Sequence, residues 1–242
     1  MSIVFSKPQK FTATVANIQQ LNAITVKADF DLVEPKEINF VPGQFISLSV
    51  GNGLFRSYSI CSDHKEKNKM SIVLTVAHNG AGSNYVKTLK QGDQVVFVGP
   101  SGRFTLAESL SSELLFMVTG TGIAPVISML KKLIDTKSPA KICLYFGLKT
   151  DTNIFFADFL AECKRKLVYF NYVICVSNPT TAWKGPVGRI TDFYKIYNVN
   201  AVQAYICGNP NMCTDVMKLL KDRGVSDDRI FHEKFTVSVN SN

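Results

Sequence analysis

The stretch Leu114-Leu115-Phe116-Met117-Val118-Thr119-Gly120-Thr121-Gly122-Ile123-Ala124-Pro125 constrains this chain more than any other. The apolar run over residues 114–118 reads as a buried β-strand. It breaks into Gly120-Thr121-Gly122 and restarts as an apolar helix over residues 123–134. A strand, a glycine turn and a helix are the parts of a phosphate cradle. Glycines let backbone N–H groups approach a pyrophosphate, and the helix N-terminus carries partial positive charge. Pro125 suits the first turn of that helix, where a missing N–H is harmless. The dinucleotide fingerprint G-x-G-x-x-G is incomplete, because Pro125 stands where its third glycine would be. A lone G-x-G after a strand also suits a plain tight turn, so the rest of the chain has to decide.

From residue 141 to residue 235 the chain alternates strand and helix. Strands read over residues 141–146, 169–176, 202–207 and 229–235, and helices over 154–166, 190–197 and 211–221. Gly224 is placed to end the last helix. This alternation predicts a parallel sheet with helices on both faces, whose ligands bind beyond the carboxyl ends of the strands. That edge carries Gly120-Thr121-Gly122, Gly147-Leu148-Lys149, Ser177-Asn178 and Cys207-Gly208-Asn209-Pro210. Cys207 ends an apolar strand there, where a small buried filler is the alternative reading.

The first half is β-rich. Short strands read over residues 10–18, 23–30, 44–50, 56–61, 71–78 and 95–98, with Val41-Pro42-Gly43 and Gly51-Asn52-Gly53 as turns. The pattern predicts a small antiparallel barrel. One helix, over residues 83–89, interrupts it, with Ser83 or the residue before it as N-cap. Arg56-Ser57-Tyr58-Ser59 places a cation, a ring and two hydroxyls along one strand. Arginine binds phosphate bidentately, and a tyrosine ring stacks on a flat heterocycle. An ordinary strand with a surface arginine is the other reading. Gly80-Ala81-Gly82-Ser83 opens the helix as a second possible phosphate site, or as a flexible turn. Gly99-Pro100-Ser101-Gly102 closes the half with turns, and residues 107–113 read as a linker, so the domains are taken as 1–110 and 111–242.

Composition narrows the class. The 242 residues are 46% hydrophobic and hold no apolar run long enough for a membrane span. The N-terminus lacks a basic start followed by a long apolar core, so the chain is expected to be cytoplasmic. Six cysteines form no C-x-x-C and no iron–sulfur cluster pattern, and three scattered histidines suggest no metal site. The net charge of +8 favours anionic partners, including nucleotides and acidic electron carriers. Its cations are dispersed apart from Lys164-Arg165-Lys166, so nucleic-acid binding is the weaker reading.

Taken in order, Arg56-Ser57-Tyr58-Ser59, Gly80-Ala81-Gly82-Ser83, Gly99-Pro100-Ser101-Gly102, Gly120-Thr121-Gly122-Ile123-Ala124-Pro125, Cys207-Gly208-Asn209-Pro210 and Glu233-Lys234-Phe235 resemble the ferredoxin–NADP reductase superfamily. The resemblance covers residues 10–235. It implies an antiparallel flavin-binding barrel followed by a nucleotide-binding α/β domain. Asn153-Ile154-Phe155-Phe156, Trp183-Lys184-Gly185 and Glu233-Lys234-Phe235 are similar in wording to reductase subunits of bacterial oxygenases, though the cysteines for a [2Fe–2S] domain are missing from the sequence.

By this resemblance, Arg56, with Ser57 beside it, holds the FAD pyrophosphate. Tyr58 stacks on the isoalloxazine, and Ser59 hydrogen-bonds near flavin N5. Gly80, Gly82 and Ser83 serve the second phosphate. Gly120, Thr121 and Gly122 face NADPH or NADH, and Cys207, followed by Gly208, sits beside the nicotinamide C4. Glu233 matches a carboxylate near the flavin, and Phe235 matches a terminal aromatic over the ring, here followed by the tail 236–242. The implied activity is FAD-dependent oxidation of NAD(P)H with a ferredoxin, a flavodoxin or an oxygenase component as acceptor. Reduction of free flavins, or service as a flavin-binding subunit of a larger complex, are the alternatives. Lys149, two residues before Asp151, and Arg189, which matches a position that contacts the 2′-phosphate in some members, tilt the expectation to NADPH, with solvated surface charges as the alternative, since cations answer a 2′-phosphate and an acid answers the ribose diol.

Overall fold

Alternating apolar residues build the first sheet. In a computed structural model, which describes residues 4–77, 79–196 and 198–235, six strands and one helix form from this half. They are β1 (Gln9–Asn22), β2 (Thr25–Glu34), β3 (Phe45–Ser49), β4 (Phe55–Ser59), β5 (Lys69–Thr75), α1 (Ala81–Thr88) and β6 (Gln94–Ser101). The strands pair antiparallel in the order β4-β3-β6-β1-β2-β5. An isolated bridge from Ile60, just past β4, to Ile72 on β5 brings the two ends of that order together, as the expected barrel requires. Phe11, Ala13 and Val15 on β1, Phe30 on β2, Ile46 and Leu48 on β3 and Phe97 on β6 turn to one face and are buried. Phe11 and Phe97, paired across β1 and β6, stack with ring centroids 5.1 Å apart.

The second sheet is parallel. It contains β7 (Glu113–Thr119), β8 (Lys141–Leu148), β9 (Phe170–Val176), β10 (Val202–Gly208) and β11 (Ile230–Lys234), in the order β11-β10-β7-β8-β9. Helices α2 (Ile123–Asp135), α3 (Ala157–Lys166) and α4 (Pro210–Asp222) connect them. The chain steps from β7 to β8 and β9 on one side, then returns to lay β10 on the other side of β7. The strand order therefore reverses between β7 and β10, and this switch point is where such sheets bind ligands. Phe116, Tyr205 and Phe231 are register partners on β7, β10 and β11, with centroids 5.1 and 4.9 Å apart. Asn209 caps α4, its Oδ1 accepting from the Asn211 and Met212 N–H groups, and Gly224 follows that helix at φ +89 as expected.

Two compact units divide the chain. One takes residues up to 108 together with Ala124–Lys132, so it includes the body of α2. The other takes Ser109–Ile123 and residues from 133 on.

Three local expectations are corrected. Residues 190–197 do not form a helix. Ile190–Asp192 makes a single 3-10 turn and residues 193–196 run on irregularly, while Tyr197 lies outside the described residues. The cause is a segment rich in β-branched and aromatic residues, whose Lys195 N–H bonds the Tyr145 hydroxyl at 3.0 Å rather than a helical carbonyl. The helix expected over 154–166 starts at Ala157, because Asp151–Asn153 first makes a 3-10 turn and Phe156 takes a left-handed φ of 60. Ser83 does not cap α1. The cap position is Gly80, and the Ser83 hydroxyl instead donates to the Thr75 carbonyl at 3.0 Å.

Truncating the fully buried Phe97 to alanine removes one ring of the stack at the barrel core. Phe97→Ala is expected to lower unfolding stability by about 3–5 kcal/mol, read by urea melts. A loss under about 1 kcal/mol would show that this core is not the one that holds the barrel.

Candidate functional site

The first part of the site forms where β4 meets α1. Arg56 and Tyr58 pair with Leu48 and Ile46 of β3 and so share their face of the sheet, both half-buried. Ser57 and Ser59 point to the opposite face. Ser57 is exposed, with its hydroxyl 3.5 Å from that of Ser47, and Ser59 is buried opposite Phe45. The start of α1 lies against the Arg56 and Tyr58 face. A Cβ added to Gly82 would fall 2.1 Å from the Tyr58 hydroxyl and 3.3 Å from the Arg56 Cγ. Only a residue without a side chain allows that approach. Residues more than twenty positions apart in the sequence thus form one cluster, containing a cation, a ring and a helix N-terminus. No side chain caps that terminus, so the first N–H groups of α1 keep their donor capacity for an anion. The Arg56 Nη1 donates to the Phe55 carbonyl at 2.9 Å, which holds the guanidinium along the strand. Burial pushes the Tyr58 phenol up to about 12, with the Arg56 charge opposing the shift. The ring therefore stays neutral and suited to stacking.

The second part forms at the switch point between β7 and β10. Gly120-Thr121-Gly122 makes a tight 3-10 turn directly after β7, with Gly120 at φ +53, and α2 starts at the next residue. A Cβ on Gly122 would lie 2.4 Å from the Cys207 carbonyl oxygen, and one on Gly208 would lie 2.3 Å from the Thr119 Oγ1. The Thr119 hydroxyl accepts from the Asn209 N–H at 3.0 Å, which ties the end of β7 to the turn after β10. Cys207 pairs with Val118 on one side and with Glu233 on the other, and Phe235 donates its N–H to the Gly208 carbonyl at 3.0 Å. Cys207 is fully buried. Desolvation first, then the Glu233 and Cys213 charges, push its thiol well above the usual range, so it is a neutral thiol. Glu233 and Phe235 are half-buried, and the tail 236–242 lies outside the described residues.

Lys149 and Arg189 occupy a third position. Both are exposed. Lys149 follows β8, and its carbonyl accepts from the Asn178 N–H at 2.7 Å. Arg189 precedes the 3-10 turn at Ile190, and Ile190 Cγ2 lies 3.0 Å from where a Gly147 Cβ would stand. Lys149, two residues after Gly147, and the residue that follows Arg189 therefore both lie near the end of β8. The Asp151 carboxylate nearby is already engaged. The Thr180 N–H and hydroxyl donate to its two oxygens at 2.8 and 2.7 Å, and these bonds hold its carboxyl below the usual range.

Sequence reasoning missed Thr119 and Thr180. Thr119 carried a signal, since it directly precedes Gly120 at the end of the strand. Thr180 carried none, because nothing local links it to Asp151. Among the described residues, no group of three or more His, Cys, Asp or Glu side chains could hold a metal ion, and no helix is long and apolar enough to cross a membrane.

Comparison with known proteins matches both halves of the chain. Residues 12–106 match the oxidoreductase FAD-binding domain, and residues 116–218 match the oxidoreductase NAD-binding domain. The chain is 29% identical over 232 residues to the toluate 1,2-dioxygenase electron transfer component of Pseudomonas putida, covering 94% of this chain and 68% of that one. It is 27% identical to the propane 2-monooxygenase reductase component of Rhodococcus jostii, of which it spans 64%. It is 26% identical to ferredoxin–NADP reductase B of Sorangium cellulosum, covering 94% of this chain and 98% of that one. In fold it is similar to the flavohem-like FAD/NAD-binding domain of the nitric oxide dioxygenase of Vibrio cholerae, with a TM-score of 0.83 at 20% identity over 93% of this chain and 98% of that one. The ferredoxin reductase of carbazole 1,9a-dioxygenase also gives a TM-score of 0.83, at 19% identity over 95% of this chain and 70% of that one. The chain belongs to the ferredoxin–NADP reductase superfamily, as an NAD(P)H-dependent flavoprotein reductase with an FAD-binding and an NAD-binding half.

Proposed function

We propose that this chain accepts hydride from a nicotinamide nucleotide, with NADPH preferred to NADH, and passes the electrons through FAD to an acidic electron carrier or an oxygenase component. The observation that carries the flavin assignment is the cluster of Arg56, Tyr58 and the uncapped start of α1 at Gly82. Bound FAD supplies the redox chemistry, taking up a hydride and releasing its two electrons singly. The chain supplies the rest. Arg56 offers a fixed cation to one phosphate, and the N–H groups behind Gly80 and Gly82, in the turn that includes Ser83, answer the other. Tyr58 gives a neutral stacking face. Ser59 and Ser57 line the same strand. At the switch point, the N–H groups of Gly120, Thr121 and Gly122 face the nucleotide pyrophosphate. The neutral Cys207 thiol, backed by Glu233, shapes the nicotinamide end without taking a proton. Phe235 borders this part.

This cradle has two phosphate positions, which suits FAD; FMN would leave one empty. Extraction of the bound cofactor is expected to yield FAD, and Gly82→Ala, which drives a methyl into the Tyr58 hydroxyl, is expected to weaken flavin retention at least about tenfold. An FMN-only extract, or undiminished retention in the variant, would overturn the assignment.

NADPH preference is supported by Lys149 and Arg189 near the end of β8 and by the engagement of Asp151 with Thr180, which takes the carboxylate away from a ribose diol. Each ion contact to a 2′-phosphate is worth roughly 1.5–3 kcal/mol. The ratio of kcat/KM for NADPH over NADH is expected to exceed one, and to fall about tenfold or more in Lys149→Ala with Arg189→Ala. A parent that prefers NADH refutes the assignment.

The acceptor reading rests on the net charge of +8 and on relatives named as oxygenase electron-transfer components and ferredoxin–NADP reductase. Electron transfer to an acidic ferredoxin is expected to slow steeply as salt rises from low to physiological strength, whereas reduction of an uncharged acceptor such as a benzoquinone does not. Salt-independent transfer would count against a charge-steered carrier. All six cysteines are free thiols, which supports the cytoplasm as the compartment; fractionation of source cells tests it.

A further inference from the structure

The β3–β4 hairpin has little strand support on its outer side. β4 ends the sheet order, and past it the pairing continues through the Ile60–Ile72 bridge, where the Cys61 N–H donates to the Ser71 carbonyl at 2.9 Å. The body of α2, which packs in the same unit, holds both ends of this hairpin. At the entry to β3, the fully buried Ser128 hydroxyl accepts from the Gly43 N–H at 3.0 Å, and it donates in turn to the Pro125 carbonyl at 2.9 Å. At the exit from β4, the Lys131 Nζ donates to the Cys61 carbonyl at 3.1 Å, two residues beyond Ser59. Lys131 is half-buried and lies among Leu130, Leu133 and Met129 in the helix sequence. An apolar residue would pack against the barrel at lower desolvation cost than a partly buried ammonium. What the ammonium adds is a directional, charge-assisted bond to one backbone oxygen.

We propose that Lys131 and Ser128 are positioning residues for the flavin. They fix the two ends of the hairpin that carries Arg56, Tyr58 and Ser59, and so set where the ring is held. This rests on the reading of β4 as the flavin strand. Hydride transfer needs its reacting atoms within a narrow range, and a displacement on the order of 1 Å costs about a hundredfold in rate. A loosened hairpin therefore loses rate before it loses cofactor.

The test is Lys131→Met, which keeps the length of the stem and removes the donor and charge. The variant is expected to hold FAD at the parent ratio and to show an altered visible circular dichroism of the bound flavin. In stopped flow its flavin reduction at saturating NAD(P)H is expected to slow about tenfold or more, with the KM for the nucleotide unchanged within about twofold, and Lys131→Arg is expected to restore both signals. Should Lys131→Met fail to fold, Ser128→Ala is carried through the same measurements. An unchanged dichroism and rate would overturn the proposal. So would a slowed rate that merely tracks FAD loss and recovers when FAD is added, because that describes a general stability defect. A parent chain that yields no flavin on extraction would instead remove the reading of β4 on which the proposal stands.

Discussion

The backbone of β10 comes so close to the turn after β7 that no side chain fits between them. The carbonyl of Cys207 sits 2.4 Å from where a Gly122 Cβ would stand, and Thr119 presses equally on Gly208. This approach sets the switch point of the sheet. With no Cβ in the way, the N–H groups of the glycine turn are presented at the carboxyl edge of the strands rather than hidden under methyl groups. The bond from the Asn209 N–H to Thr119 locks the two strand ends together, and Asn209 then caps α4. One short segment therefore ends a strand, closes the crevice and starts a helix.

The first half of the chain uses the same device in an antiparallel setting. There the missing side chain is that of Gly82, and the group it admits is Tyr58. The helix that begins there has glycine at its cap position and its nearest hydroxyl, Ser83, turned back to β5. Ordinary capping would have satisfied the first N–H groups internally. Leaving them uncapped lowers the intrinsic stability of α1 and raises its capacity to bind an anion. The helix holds its place through Val86, Tyr85 and Ala81, which pack on the barrel core.

Both sheets were legible because period and turn chemistry act locally. The alternation of Phe11, Ala13 and Val15, and the strand–glycine–helix run from Leu114, each point to one backbone state. The expected helix over 190–197 failed for one local and one non-local reason. Its intrinsic preference was poor, and the Tyr145 hydroxyl on β8 competed for the Lys195 N–H. Ser83 has the side chain of a cap but lies within reach of the Thr75 carbonyl, eight residues back on β5, a pairing that capping rules do not address. The motif residues of the site were readable by type and order, while their supports were not. Thr180 on Asp151, and Ser128 and Lys131 on the hairpin, act across 29, 85 and 70 residues of sequence.

On the proposed reading, in which Cys207 borders the nicotinamide, the state of its thiol limits what that edge can do. Burial raises its thiol most, and the paired Glu233 adds to that by opposing a second negative charge beside its own. A thiol held so far above neutral pH is neither nucleophile nor base under working conditions. It can contribute volume, polarisability and a weak S–H donor. Hydride transfer asks for nothing more from such a residue, since the proton count of the side chain does not change when a hydride passes between two bound heterocycles. A neutral, fully buried side chain also brings no hydrated charge of its own to the end of β10, so it draws no solvent to that strand end.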